Sequence, residues 1–122
     1  DIALLDARKG LKMFEKVEVP VLGVVENMSI HICSQCGHSE HIFGEGGGSR
    51  MAEQHDVDFL GSLPLDIRIR EQADSGNPTV AAMEDSQISE IYRAIARKTA
   101  AKLSTLAKDH SAAFPSIVIQ NN

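Results

Sequence analysis

Apolar side chains recur along the chain with two different periods, and a long stretch between them follows neither. Residues 2–16 set Leu4, Leu5, Leu11 and Phe14 along one side of a helix. Asp1 stands where an N-cap belongs, and Lys9, Lys12 and Lys16 lie towards the end where the helix dipole favours cations. Gly10 interrupts this segment at a cost of about 1 kcal/mol relative to Ala. Past Pro20 the run Val21-Leu22-Gly23-Val24-Val25 is continuously apolar, which predicts a strand buried on both faces, as in a parallel sheet. A second strand is expected over residues 57–63, closed by Pro64. A short helix is expected over 49–54, a helical turn or short helix over 66–73, and a break at Ser75-Gly76-Asn77-Pro78. The clearest stripe is Ile88, Ile91, Tyr92, Ile95, Thr99, Leu103 and Leu106, which keeps a 3.6-residue period through residues 86–108. Beyond it, residues 109–122 form a tail with one β-like run, Ile117-Val118-Ile119.

Helix, strand, loop, helix, strand, helix is the order of an α/β protein with a parallel sheet. Two strands are too few for a stable sheet of that kind, so further strands are expected upstream. The start at Asp1, directly inside a helical pattern, agrees: the sequence is expected to be the C-terminal part of a longer protein. Residues 1–108 are assigned to a single domain and 109–122 to its tail. Composition narrows the class further. With 43% hydrophobic and 24% charged residues, the 122-residue chain is too apolar for a disordered segment and too charged for a membrane protein. No secretory signal pattern opens it, no apolar run nears the roughly 20 residues that span a bilayer, and a cytoplasmic setting is expected. The net charge is −5, the twelve Lys and Arg are scattered, and aromatics number only five, so neither a nucleic-acid face nor a stacking platform is expected.

Residues 28–48 fit neither period. They hold Cys33, Cys36, three of the five His and many of the glycines. A loop that long in a small domain is usually functional or disordered. Cys33-Ser34-Gln35-Cys36-Gly37-His38 puts two thiols within reach of one metal, with Gly37 permitting a tight turn. A structural disulfide is disfavoured for a single pair in a chain of cytosolic character. A redox pair should follow a strand and open a helix, whereas this pair lies mid-loop. Metal ligation is therefore favoured over redox or inert roles. Two thiols make half of a tetrahedral site. The remaining donors come either from His31, His38 or His41, giving a zinc knuckle, or from a second copy of the loop, giving a shared zinc or iron–sulfur site.

Gly46-Gly47-Gly48-Ser49 precedes a short helix and could present amides to an anion, but no Lys-Ser/Thr follows at P-loop spacing, and a flexible helix start is the better reading. Asn27 and the step Pro64-Leu65-Asp66 each fall just past the carboxyl end of an expected strand, where open α/β sheets bind ligands. An Asn carboxamide offers the donor and acceptor that an adenine edge requires. Taken singly, Asn27 suits a turn and Asp66 a helix N-cap.

Together these segments resemble a known family. Leu4-Leu5-Asp6-Ala7-Arg8-Lys9-Gly10, Gly23-Val24-Val25-Glu26-Asn27-Met28-Ser29, Cys33-x-x-Cys36-Gly37, His41-Ile42-Phe43-Gly44-x-Gly46-Gly47, Leu60-Gly61-x-Leu63-Pro64-Leu65-Asp66 and Arg68-x-Arg70-Glu71 occur in order over about residues 1–106. They look like the C-terminal half of the Mrp/ApbC family of MinD-like P-loop ATPases, which act as iron–sulfur cluster carriers. The resemblance implies the C-terminal portion of a parallel-sheet P-loop NTPase fold of the deviant Walker type. It implies that Cys33 and Cys36 hold a 4Fe-4S cluster bridging two subunits of a homodimer, for delivery to recipient iron–sulfur apoproteins. It also implies that Asn27 contacts the base of ATP, with Pro64, Leu65 and Asp66 lining the adenine pocket. The P-loop and the Mg-coordinating residues have no counterpart in these 122 residues, so no catalytic residue is assigned and ATP hydrolysis is an expectation for the full-length relatives alone. A non-enzymatic zinc-binding interaction module using the Cys-x-x-Cys loop is the alternative.

Overall fold

The computed structural model describes residues 2–106, in the order α1 (Ile2–Lys16), β1 (Gly23–Glu26), β2 (His31–Ile32), β3 (Ser39–Glu40), α2 (Gly47–Gln54), β4 (Asp58–Ser62), α3 (Ile67–Asp74), α4 (Thr79–Ala82) and α5 (Gln87–Thr105). The expected cap at Asp1 and the run 117–119 lie outside the described residues. Strands β1 and β4 pair in parallel, Gly23 opposite Asp58 and Glu26 opposite Ser62, with an irregularity between Val24 and Val25. A parallel pair needs a crossover, and the segment between the two strands supplies it with the hairpin β2–β3 and helix α2. The expected α/β class with parallel strands is thus present.

Helix α2 packs on β1, and α5 packs on β4. Two glycines allow these approaches. A Cβ on Gly48 would lie 2.8 Å from Cβ of Glu26, and a Cβ on Gly61 would lie 2.8 Å from Cγ1 of Ile95. The buried apolar side chains are Leu11, Met51, Ala52, Leu60, Leu63 and Ile88, which place the core between β4 and the helices α1, α2 and α5. Burying each is worth very roughly 1–3 kcal/mol, according to size.

Several expectations are corrected. The first strand runs over residues 23–26, and it is not buried on both faces, because Val25 is 39% exposed. The apolar side expected of α1 divides: Leu11 is buried, whereas Leu5 and Phe14 face solvent. Within 28–48 the expected open loop is a short antiparallel hairpin, with His31 opposite Glu40 and Ile32 opposite Ser39, and α2 already begins at Gly47. Two-residue strands carry too little periodicity to be visible in a sequence. Helix α4 was also not expected. It is tied to α5 by Ser89, which is fully buried and whose Oγ donates to the carbonyls of Met83 (2.7 Å) and Thr79 (3.2 Å). The break before α4 falls where the Ser-Gly-Asn-Pro step puts it, since α3 ends at Asp74.

Candidate functional site

The two thiols sit at the tip of the β2–β3 hairpin. The amide of Cys33 donates to the carbonyl of His38 (2.9 Å), and the amide of Gly37 donates back to the carbonyl of Cys33 (2.9 Å). Gly37 takes φ +72°, a conformation that side chains with a Cβ rarely adopt, so a glycine after the second cysteine closes the turn without strain. Both cysteines are free thiols, Cys33 half-buried and Cys36 exposed. Backbone amides of Cys36 and then Gln35 point at the Cys33 sulfur and, with the Cys36 thiol, hold its pKa below the ordinary thiol value; partial burial and the Glu40 carboxylate oppose this. Amides converging on a sulfur favour the thiolate, which is the form that binds metal.

Two of the three histidines of the same segment bond backbone carbonyls through Nδ1. His31 Nδ1 lies 3.3 Å from the carbonyl oxygen of Leu65, and His41 Nδ1 lies 2.7 Å from that of Ser29. Among the described residues, no cluster of three or more His, Cys, Asp or Glu side chains could enclose a metal. Among the described residues the thiols thus stand as a pair, without a third such donor beside them.

The second group of candidate residues lies at the carboxyl ends of β1 and β4. Past these ends the two segments continue side by side. Leu63 N donates to the Glu26 carbonyl (2.8 Å), Ser29 N to the Leu63 carbonyl (2.9 Å) and Leu65 N to the Ile30 carbonyl (2.8 Å). His31 and Leu65 then form a parallel bridge. Asn27 is exposed, and its Oδ1 accepts from the amide of Met28 (2.9 Å), the turn role that such a residue often takes. Pro64 and Leu65 are half-buried. Asp66 is the N-cap of α3: its carboxylate accepts from Arg68 N (2.9 Å), Arg68 Nε (2.9 Å) and Arg68 Nη2 (2.6 Å). This bidentate pair holds the Asp66 carboxyl below the usual carboxylate range, with the Arg68 side-chain hydrogen bonds as the largest cause.

The strand ends thus bring Asn27 and the step 64–66 to one edge. The same ladder joins that edge to the cysteine hairpin through Ile30, His31 and Leu65. Sequence reasoning missed the anchoring roles of His31 and Ser29, whose Oγ donates to the Leu63 carbonyl (3.1 Å), and no pattern signals them. The Asp66–Arg68 pair did carry a signal, a carboxylate two residues before an Arg at a helix start. Beneath the hairpin, between the strand ends and the start of α2, lies a cavity of about 320 Å³ lined by Glu26, Ser29, His41, Gly46, Phe59 and Ser62. Gly46 enters α2 in the left-handed conformation without a side-chain cap, and Ser49 Oγ returns to its carbonyl (3.1 Å). A larger groove of about 490 Å³ lies at the opposite end of β4, crossed by the ion pair of Lys102 and Asp58 (2.8 Å), and holds none of the candidate residues.

Residues 1–100 match the family described as ParA: NUBPL iron-transfer P-loop NTPase. The chain belongs to this family. The resemblance to Mrp/ApbC proteins is borne out by its relatives. An iron–sulfur cluster carrier protein of Pseudomonas fragi is 62% identical over 96 residues, covering 79% of this chain and 33% of the relative. The iron–sulfur cluster transfer protein NUBPL of Mus musculus is 47% identical over 103 residues, covering 84% of this chain and 32% of that protein. A nucleotide-binding protein of Archaeoglobus fulgidus, solved in complex with ADP, superimposes with a TM-score of 0.54 at 29% identity, covering 70% of this chain and 34% of that one. The chain therefore spans about a third of the length of the relatives it matches. Among the described residues, no helix is long and apolar enough to cross a membrane.

Proposed function

We propose that this chain is the C-terminal portion of an ATP-binding carrier that assembles 4Fe-4S clusters and transfers them to apoproteins. Its cargo is held by Cys33 and Cys36 of each of two copies. The observation that carries the reading is the isolated pair of thiols at a hairpin tip, with amides favouring the thiolate and no further donor gathered around it among the described residues. A cubane cluster takes about four soft ligands, so two copies complete the set. A zinc module built from one chain would need further donors at the thiols, and among the described residues no cluster of three or more His, Cys, Asp or Glu side chains is gathered.

The edge formed by Asn27, Pro64, Leu65 and Asp66 is the proposed base site for ATP. The half-buried Pro64 and Leu65 suit the faces of a purine and a carboxamide suits its edge. Because the Asp66 carboxylate is spent on Arg68 and the α3 amide, its part in the proposal is to fix the loop rather than to touch the base. Phosphate and Mg contacts, cytoplasmic location and the hydrolytic activity belong to the longer protein. In this chain the base site and the thiols share one hydrogen-bonded ladder, from Leu65 to Ile30 and His31 and so to Cys33 two residues on. A shift of the 64–66 step then moves the hairpin base, which is a physical route from nucleotide occupancy to the hold on the cluster.

The test is anaerobic reconstitution of the 122-residue chain with iron and sulfide. The expected product is brown, contains about four iron atoms per two chains, and is lost in both Cys33→Ala and Cys36→Ala. A colourless product binding one zinc per monomer with both cysteines as ligands would overturn the reading.

A further inference from the structure

The two legs of the thiol hairpin are tied to the rest of the chain unequally. The leading leg leaves the carboxyl end of β1 under backbone control. Ser29 N donates to the Leu63 carbonyl (2.9 Å), Leu65 N donates to the Ile30 carbonyl (2.8 Å), and His31 bridges Leu65. The trailing leg, residues 39–45, differs. Among the described residues, a single hydrogen bond returns it to the body outside the hairpin, between Nδ1 of His41 and the Ser29 carbonyl at 2.7 Å. A carbonyl oxygen only accepts, so Nδ1 of His41 carries the hydrogen and donates it. The other ring nitrogen, Nε2, lies 3.9 Å from the Glu45 carboxylate. A turn directly after β3 presets the ring: the amide of Gly44 donates to the His41 carbonyl (3.1 Å), and Gly44 takes φ +92°. Ser29 spends its other polar groups, the amide and Oγ, on the Leu63 carbonyl.

We propose that His41 is a positioning residue for the thiol pair, its Nδ1–H latching the trailing leg of the hairpin to the Ser29 carbonyl at the strand end. The effect on the cluster rests on the shared-cluster reading, whereas the latch is a property of the single chain. Without it, the trailing leg is held only through its pairing with the leading one, and a two-stranded hairpin on its own is marginal in water. With it, both legs are fixed to one strand end, because Ser29 is itself bonded twice to Leu63, directly before the step 64–66. A shift of that step then carries the two legs together, and Cys33 and Cys36 move as a unit. One hydrogen bond of ordinary net strength changes the balance of docked and undocked hairpin about two- to tenfold. Asn is the conservative replacement, since its carboxamide nitrogen stands as many bonds from Cβ as Nδ1 does and also donates.

Nitrogen-15 spectra of the imidazoles in the metal-free 122-residue chain, at about pH 8 where an ordinary histidine is neutral, read the latch directly. His41 should carry its proton on Nδ1, and a proton on Nε2 instead would overturn the latch. Hydrogen–deuterium exchange over residues 38–44 should quicken about two- to tenfold in His41→Ala and return to within about twofold of the parent in His41→Asn. Unchanged far-UV circular dichroism checks that both variants are folded. In reconstituted protein, loss of iron to a chelator should keep the same order, fastest in His41→Ala and near the parent in His41→Asn. An Ala variant that exchanges like the parent, or an Asn variant as fast as the Ala one, also overturns the latch. If exchange quickens and iron loss does not, the thiol-positioning role is wrong and the cluster reading stands. If the parent takes up no cluster, the cluster reading fails, while the tautomer and the exchange rates still decide the latch.

Discussion

At the scale of single residues, the site is governed by what each polar side chain is already bonded to. Asp66 illustrates this. As a carboxylate past a strand end it is a ligand candidate, yet it accepts the α3 amide and both reachable nitrogens of Arg68. Its folded pKa is lowered, so its contribution to stability is fully present above the unfolded carboxylate value and is lost as pH falls through the folded value. The pair is partly exposed, with side-chain accessibilities of 21% for Asp66 and 52% for Arg68, so screening limits its worth to that of an N-cap with a surface ion pair. Asp66→Ala should cost about 1 kcal/mol at neutral pH. The difference from the parent should shrink below about pH 4, where Asp protonates in the unfolded chain. Urea unfolding at several pH values measures it, and a pH-independent difference would assign the loss to something other than the carboxylate. Cys33 follows the same logic: its neighbours in the turn, rather than its identity, make it the more acidic form of an ordinary thiol.

Among the elements, close packing across small residues sets how α2 and α5 lie on the two strands. Gly61 takes φ +155° in β4, and its missing Cβ leaves room for Ile95 of α5. Gly61→Ala should therefore destabilise by about 1–3 kcal/mol through overpacking of a fitted contact. In a thermal melt the variant should unfold earlier than the parent, and the double variant Gly61→Ala with Ile95→Val should recover part of the loss. An unaffected melting temperature for Gly61→Ala would show that α5 yields without cost. The cysteine hairpin is an element of another kind. Its two-residue strands are held by the His31–Leu65 bridge and the hydrogen bonds of its turn rather than by a core of its own.

For the whole molecule, the apolar surface is divided unevenly. Among the described residues six apolar side chains are buried, while Ile2, Leu5, Met13, Phe14 and Val17 of α1 and its following turn are exposed, with Ile2 at 81% and Val17 at 60%. Two paired strands with one short core are marginal on their own. The 122-residue chain is accordingly expected to bind a hydrophobic dye such as ANS under native conditions. Changing Ile2, Met13 and Val17 together to Ser should lower the dye fluorescence, since such dyes report exposed apolar surface. Failure of the triple variant to lower the signal would place the dye elsewhere.

Much of this was legible in the sequence, and the reasons differ by element. Helix α5 announced itself because nineteen residues sample the 3.6-residue period many times. The two parallel strands did so because β-branched runs bounded by Gly and Pro have few other uses. The Cys-x-x-Cys-Gly spacing is itself a statement about turn geometry, and the turn has the glycine conformation it called for. What the sequence could not determine was which donors were available. His31, His38 and His41 were all candidates for the thiols, yet among the described residues no cluster of three or more His, Cys, Asp or Glu side chains is gathered, and His31 and His41 meet the carbonyls of Leu65 and Ser29 through Nδ1. The burial of Ser89, the exposure of Val25 and Phe14, and the α4 turn were decided in the same way, by neighbours distant along the chain. Local periodicity and turn chemistry are properties of a few consecutive residues and survive in one dimension. Hydrogen-bond partnership and burial are relations between segments, and they exist only once the chain has folded.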